Sequence, residues 1–436
     1  MCVHVAVPVP GLGLLTYSVP THLKRPVVGA RVLVPLGSRV VTGIVMDDVS
    51  ASTVEDAAVK PIKEVLDADA FVPADVVELA RWTAEYYAAG PGDTITSVLP
   101  PKARGARADA HKTRRVASIT ASGLEAVGLP SAQITTKQRE ALQLLWASPD
   151  GIPTPQLASR GVAADVVARL VRHGFVSIRQ DRLDRDPFQT ASMSLAAADP
   201  DRRLTMEQAA AFERLRAMAE SRRFQVALLH GVTGSGKTEL YLRLAAAVRD
   251  SGRRVLMMVP EIALTPVVVS VFRHAFGDRV AIQHSGLSDG ERHDQWQRIR
   301  RGEVDVVVGT RSAVFAPLER VGLIVVDEEH DASYKQEESP RYHGRDVAII
   351  RGQRAGALVV LGSATPSMES YHNATTGRYE RIVLEKRVLD RPLATVTVVD
   401  MREEYAAAGP DVILSRALGA AIAERLERRE QAFVLL

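Results

Sequence analysis

Eight consecutive residues, Gly231-Val232-Thr233-Gly234-Ser235-Gly236-Lys237-Thr238, constrain this chain more than any others. They fit the phosphate-binding loop pattern, which carries meaning only between a strand and a helix. Both flanks comply. Val226–Leu229 is a short apolar run that reads as a buried strand, and Glu239–Val248 carries Leu240, Leu242, Leu244 and a run of alanines that read as a helix. Glycines allow backbone N–H groups to converge on phosphate oxygens, and the helix N-terminus adds a favourable dipole. The pattern predicts phosphate contacts from Gly231, Thr233, Gly234, Ser235, Gly236 and Glu239 at the start of the helix. Lys237 reaches the β- and γ-phosphates of ATP, and the Thr238 hydroxyl ligates Mg²⁺.

The sequence around the loop predicts a multidomain α/β chain. At 436 residues it exceeds one compact domain. From Leu204 onward, Val/Leu/Ile runs recur at Val226–Leu229, Val255–Val259, Val304–Val308, Leu323–Val326 and Leu358–Leu361, separated by helical stretches. That alternation indicates a parallel sheet covered on both faces, with its site at the C-terminal strand ends. Asp327-Glu328-Glu329-His330 stands at one such end, where Asp327 holds Mg²⁺ and Glu328 orients or deprotonates an attacking water. Ser363-Ala364-Thr365 supplies hydroxyls at another. Gln208, ahead of the loop, offers an amide that pairs with both a donor and an acceptor, as an adenine edge requires.

The remaining chain divides by texture. Residues 1–105 are strand-rich, with runs at Val3–Val9, Ala30–Pro35 and Val40–Val45 and a helix over Val76–Ala89. Pro100–Arg115 is rich in Lys and Arg and reads either as a basic strip on DNA or as a solvated linker. Within residues 106–195, Thr136–Ala147, Thr154–Ser159 and Ala163–His173 pattern as the helices of a winged helix, with wing strands in Val176–Leu183 and a linker over Gln180–Leu204. Residues 196–385 carry the phosphate-loop lobe and residues 386–436 the start of a further lobe. The net charge of +3 does not by itself argue for nucleic acid, and a single cysteine, Cys2, excludes a disulfide framework and a Cys-based zinc site within this chain. No apolar run approaches a membrane span, and the N-terminus is a poor signal peptide, which predicts a cytoplasmic location and no membrane partner.

Taken together, these segments resemble helicase superfamily 2. Leu204–Gln208 is similar to a Q motif, Gly231–Thr238 to motif I, Val259–Pro266 to motif Ia, Gly309–Ser312 to motif Ib, Asp327–His330 to motif II and Gly362–Thr365 to motif III. His230–Glu239, Pro260–Thr265, Gly309–Pro317 and Asp327–Asp346 are similar to the bacterial replication-restart helicases, the PriA or primosomal protein N′ family. Val5–Pro10, Arg31–Gly37 and Val59–Leu66 look like that family's 3′-DNA-binding domain. The resemblance implies an ATP-dependent 3′→5′ DNA helicase that recognises stalled or abandoned replication forks. Forked and single-stranded DNA, primosome proteins and single-stranded DNA-binding protein are its implied partners. A fork-binding scaffold with a non-productive ATP site is the alternative, against which Lys237, Asp327 and Glu328 stand.

The resemblance also assigns residues. A pocket for the leading-strand 3′ end maps onto Leu15, Thr16, Gly37 and Lys60, where the family usually shows an aromatic and an acidic residue in place of Leu15 and Thr16. Arg311 in motif Ib is implied as a DNA contact. Ala332–Asp346 resembles the family's aromatic-rich loop, with Tyr334, Lys335, Arg341 and Tyr342. Aromatic faces with cations between them suit single-stranded DNA; the other reading is a surface loop with two buried tyrosine anchors. The family implies a zinc module with paired cysteines, for which this chain has no ligands. It implies a second lobe with an arginine finger, of which Ser415–Arg429 is read as a helix and Ala432–Leu436 as a strand cut short. That predicts very low turnover for this chain by itself.

Overall fold

The computed structural model of the chain describes residues 1–49, 59–105, 112–128, 134–183, 187, 203–260, 265–388, 395–409 and 411–435. Two compact units emerge, Met1–Val388 and Leu389–Leu436.

The first unit begins with β1 (Cys2–Ala6), β2 (Leu15–Ser18), β3 (Arg31–Leu36), β4 (Arg39–Val49) and β5 (Glu64–Val65), in the sheet order β2-β1-β4-β3-β5. Alternate residues Val3, Val5, Val32 and Val34 point inward onto Tyr17, Val45 and Ile62. The stretch around residues 60–66 touches both edges of this sheet. At one edge Ser18 N donates to Lys60 O (3.0 Å) and Ile62 N to Ser18 O (2.9 Å); at the other Lys63 N donates to Leu33 O (2.8 Å) and Leu66 N to Arg31 O (2.9 Å). The sheet is thereby closed into a small barrel, which removes edges that would otherwise pair with another chain. Two helices follow, α1 (Ala74–Tyr86) and α2 (Pro91–Val98). The basic stretch after them is not wholly solvated: Pro101–Arg104 forms a 3₁₀ turn in which Arg104 caps α2, donating to Thr96 O (2.5 Å) and Leu99 O (3.1 Å).

Next come β6 (Lys112–Ile119), α3 (Ala121–Gly128), α4 (Thr136–Trp146), β7 (Ile152–Pro153), α5 (Thr154–Ser159), α6 (Ala164–Arg172) and β8 (Val176–Leu183). The wing is built differently from the expectation. Val176–Leu183 is one strand and its partner is β6, from before the helices, in register from Lys112↔Leu183 to Ile119↔Val176. Arg114 and Arg115, read as part of a linker or DNA strip, therefore sit in that ladder. Val166, Val167 and Leu170 turn α6 onto a core separate from the others, while Arg169 pairs with Asp165 along the helix. Most of the expected Gln180–Leu204 linker lies outside the described residues.

The third part holds α7 (Met206–Glu220), β9 (Gln225–Gly231), α8 (Lys237–Asp250), β10 (Arg254–Met258), α9 (Thr265–Phe276), β11 (Val280–Gln283), α10 (Asp289–Arg300), β12 (Val306–Gly309), β13 (Val321–Asp327), α11 (Gly344–Ala355), β14 (Leu358–Ser363), α12 (Met368–Thr375) and β15 (Glu380–Leu384). Its seven strands run parallel in the order β11-β12-β10-β13-β14-β9-β15. Helices α7, α8 and α9 bury Leu215, Leu244 and Phe272 on one face; α10, α11 and α12 bury Ile299, Val347 and Ala374 on the other. Because β9 and β13 both neighbour β14, the loop after β9 and the acidic residues after β13 meet across a single strand.

The second unit contains α13 (Met401–Ala408) and α14 (Arg416–Glu427), joined through Glu404, whose carboxylate accepts from Arg416 N (2.9 Å) and Nε (3.2 Å). The strand expected at Ala432–Leu436 is not formed in the described residues 431–435. A parallel strand exists only through its ladder partners, and these residues have none.

Candidate nucleotide and DNA site

The glycine loop is built as its chemistry demands. Gly234 (φ +81°) and Gly236 (φ +84°) occupy the left-handed region, from which Lys237 starts α8. Lys237 Nζ donates to Gly231 O (2.9 Å) and stands 3.7 Å from Glu328 Oε1. Ser235 Oγ is buried without a partner, an acceptor and donor in waiting beside exposed Thr233, Gly234 and Thr238. These groups fit a magnesium–nucleotide complex: the loop amides and Lys237 would hold phosphate, and Thr238 and Asp327 would hold the ion. Glu239 is occupied otherwise, accepting from Arg243 Nε (2.7 Å) along the helix.

Gln208 departs from its expected role. Its Oε1 accepts from Thr205 N (3.0 Å) in the cap of α7, and its Nε2 donates to Ser235 O (2.8 Å). The side chain is buried, so the amide braces the phosphate loop instead of facing an adenine. A Cβ on Gly236 would stand 2.3 Å from that nitrogen, and the left-handed backbone there (φ +84°) is what favours glycine.

At the end of β13, Tyr241 Oη donates to Asp327 Oδ1 (3.0 Å). Burial, and then the charge of Glu328, push the Asp327 carboxyl up to about 6, against the pull of Tyr241 and Lys237. Glu328 has a left-handed backbone (φ +44°), an uncommon conformation for this residue type and one that collects at functional sites. Its neighbour Glu329, to which the sequence assigned no separate task, is fully buried. It accepts from Ser367 N (2.7 Å), Ser370 Oγ (2.9 Å) and Arg345 Nη1 (2.9 Å). His330 links the acidic stretch to the hydroxyl stretch, with Nδ1 2.8 Å from Ser363 Oγ and Nε2 3.3 Å from Thr365 Oγ1. Nothing local in the sequence separates Glu329 from Glu328; only the buried arginine and serines do.

In the aromatic-rich loop the two tyrosines follow the second of the two readings, that of buried anchors. Tyr334 and Tyr342 are fully buried, Tyr334 donating to Asp327 O (2.7 Å) and Tyr342 meeting Phe315 edge-on at 5.3 Å. Neither ring presents a face for a base to stack on. Arg311 Nη1 donates to Ser333 O (3.0 Å) and Lys335 O (2.8 Å), so it holds this loop against β12. Lys335 Nζ donates to Arg341 O (2.5 Å) and lies 5.2 Å from the Tyr87 ring; Lys335 and Arg341 are exposed. Of the stretch resembling motif Ia, residues 261–264 lie outside the described residues.

In the barrel, Gly37 (φ +59°) opens the two-residue turn between β3 and β4, a position that suits glycine. Lys60 is exposed at the end of β2, and Tyr17 Oη ties β2 to Pro35 O (3.0 Å), two residues before Gly37. Leu15 and Thr16 are half-buried in β2.

A glycine loop and an Asp-Glu strand end that meet across β14, tied to a hydroxyl motif at its tip, define the motor lobe of a superfamily 2 helicase. Residues 205–374 match the DEAD/DEAH box helicase family, and residues 4–100 match the 3′-DNA-binding domain of PriA. The replication restart protein PriA of Bacillus subtilis is 35% identical over 96% of this chain and 60% of its own length; that of Haemophilus influenzae is 36% identical over 100% and 58%. The chain belongs to the PriA replication restart family, and it spans about three-fifths of the length of these curated relatives. Among solved structures, RecG bound to a three-way DNA junction is 20% identical, with a TM-score of 0.40 over 54% of this chain and 29% of that one. No helix among the described residues is long and apolar enough to cross a membrane.

Proposed function

We propose that the protein to which this chain belongs is an ATP-dependent 3′→5′ DNA helicase. In this reading it recognises stalled or abandoned forks and starts primosome assembly in the cytoplasm, together with single-stranded DNA-binding protein. Residues 1–105 bind the nascent 3′ end through Gly37 and Lys60; 106–195 form a winged helix and linker; 196–385 form the motor lobe; 386–436 begin the second lobe. The observation that carries the reading is the convergence of Lys237, Asp327 and Glu328 from the strand ends on either side of β14, in a lobe whose chain also holds a 3′-DNA-binding domain.

Bound ATP and Mg²⁺ supply the scissile phosphoanhydride and the charge that neutralises its developing negative oxygens. Lys237, released from Gly231 O, binds phosphate, and Thr238 and Asp327 bind the ion. Glu328 lies close enough to Lys237 to share the phosphate end of the site and to accept a proton from water there. The His330 bonds to Ser363 and Thr365 give that acidic stretch a path to β14, through which DNA and nucleotide occupancy are coupled. In the full-length protein, Lys237→Ala should cut DNA-stimulated ATP hydrolysis by at least about a hundredfold, as loss of a transition-state charge contact does, while fork binding by gel shift stays near the parent's. Hydrolysis at the parental rate would remove the loop from the mechanism.

A further inference from the structure

Three consecutive residues after β13 leave in three directions. Glu328 turns toward Lys237, His330 toward the hydroxyls of Ser363 and Thr365, and Glu329 into the interior, where it is fully buried. We propose that Glu329, clamped by Arg345, is a positioning residue for hydrolysis: buried away from the nucleotide, it fixes where the Glu328 carboxylate points. This rests on the reading of Glu328 as the acceptor of the water proton, and adds what aims it.

Glu328 does not aim itself. Among the described residues its carboxylate oxygens stand 3.7 Å from Lys237 Nζ and 3.8 Å from His330 Nδ1, both beyond hydrogen-bond length. Its direction therefore comes from the backbone, which at Glu328 is left-handed (φ +44°). Such a conformation is strained for this residue type and persists only where the surroundings over-determine it. On the far side, Asp331 N donates to Glu328 O (2.9 Å) and closes a turn. On the near side stands Glu329.

Every polar atom of Glu329 that could hold it is used. Its amide donates to Gly362 O (3.0 Å) on β14. Its Oε1 accepts from Ser367 N (2.7 Å), and its Oε2 from Ser367 Oγ (3.0 Å), Ser370 Oγ (2.9 Å) and Arg345 Nη1 (2.9 Å). Arg345 is buried in the first turn of α11, and its Nη1 also donates to Ser367 Oγ (2.7 Å), the cap of α12. The starts of two helices thus close on one carboxylate. A buried ion pair is a poor source of stability, since apolar side chains of similar volume often hold a core as well. What directed donors add is specificity of position: they allow the chain one path through residues 328–330.

The test is a double-mutant cycle in the full-length protein with saturating DNA, read by single-turnover hydrolysis of labelled ATP. Glu329→Gln keeps the shape and removes the charge that Arg345 faces. It should lower the rate roughly ten- to a hundredfold, the scale of a displaced catalytic group, while steady-state KM for ATP stays within about twofold of the parent's. In a Glu328→Gln background the same substitution should change the rate less than about twofold, because no base is left to aim. Losses of equal size in both backgrounds would overturn the proposal and make Glu329 a contact of the fold alone. Ser370→Ala removes one donor and should cost about two- to fivefold when Glu328 is present. It decides the matter even if Glu329→Gln does not fold: a parental rate in Ser370→Ala would then overturn the proposal. Glu328→Gln at the parental rate would sink the reading of Glu328 as well, whereas a slow Glu328→Gln with additive losses sinks this proposal alone.

Discussion

Asp327 shows what a single carboxylate does to this fold. Its pKa is raised in the folded state, so the fold favours its protonated form. The stability it contributes is complete below the unfolded value near 3.8 and is lost as pH rises through about 6. A shift of about two units caps the effect at about 3 kcal/mol. Asp327→Asn, neutral at every pH, should therefore stabilise the nucleotide-free protein by about 1–3 kcal/mol at roughly pH 7.5. The gain should shrink as pH falls through about 6 in a urea titration series; a constant gain would mean the charge is not its source. A second residue-scale consequence concerns Gly362 on β14. A Cβ there would stand 1.7 Å from Tyr241 Oη, the hydroxyl that reaches Asp327. Gly362→Ala should cost about 1–3 kcal/mol by overpacking. Adding Tyr241→Phe, which removes the colliding oxygen, should recover part of that loss in a double-mutant cycle. Additive losses would place the strain elsewhere.

Elements differ in how much of themselves they write into sequence. Lys60 sits on the segment that closes the barrel, and Lys60→Ala should weaken binding to forks with a nascent leading strand at the branch by about tenfold, the scale of one charge-assisted contact. Forks lacking that strand should be bound nearly as before; equal loss on both would make Lys60 a general phosphate contact. That closing segment was legible only as a family resemblance, because β5 has two residues and no period to read. The interior strands β9, β10, β12, β13 and β14 were plain as Val/Leu/Ile runs, since both faces of each are buried. The edge strands β11 and β15 were not, being short and mixed in polarity. Around the site, the glycine loop and Asp327-Glu328 were legible because their chemistry is local. Burial of Tyr334 and Tyr342 was legible only as one of two readings: a tyrosine among cations looks the same whether it faces solvent or anchors a loop. The commitment of Gln208 to Ser235 O was hidden for the same reason, since its partner lies 27 residues away.

At the scale of the whole first unit, one hydrophobic cluster runs without a break from Ala6, Ile44 and Met46 of the barrel to Val326 and Leu361 of the motor sheet. Phe71 is its hinge pin: the ring lies 4.1 Å from the Arg31 guanidinium carbon, 5.2 Å from that of Arg300, and 6.1 Å from the Trp296 ring. Arg31 is itself fixed by Asp67 (2.9 Å), and Arg300 donates to Ala70 O (3.1 Å). Phe71→Ala should cost about 3–5 kcal/mol, and the loss should show as an earlier, broadened melting transition; a transition as sharp and as high as the parent's would contradict a shared core. The continuity of that core turns the protein into a caliper. One jaw is the barrel surface around Gly37 and Lys60, the other is the edge of the motor sheet, and a single block of packed side chains sets the gap between them. Any ligand that touched both jaws would have to match one fixed span, because the packed side chains between them leave that distance no freedom to adjust.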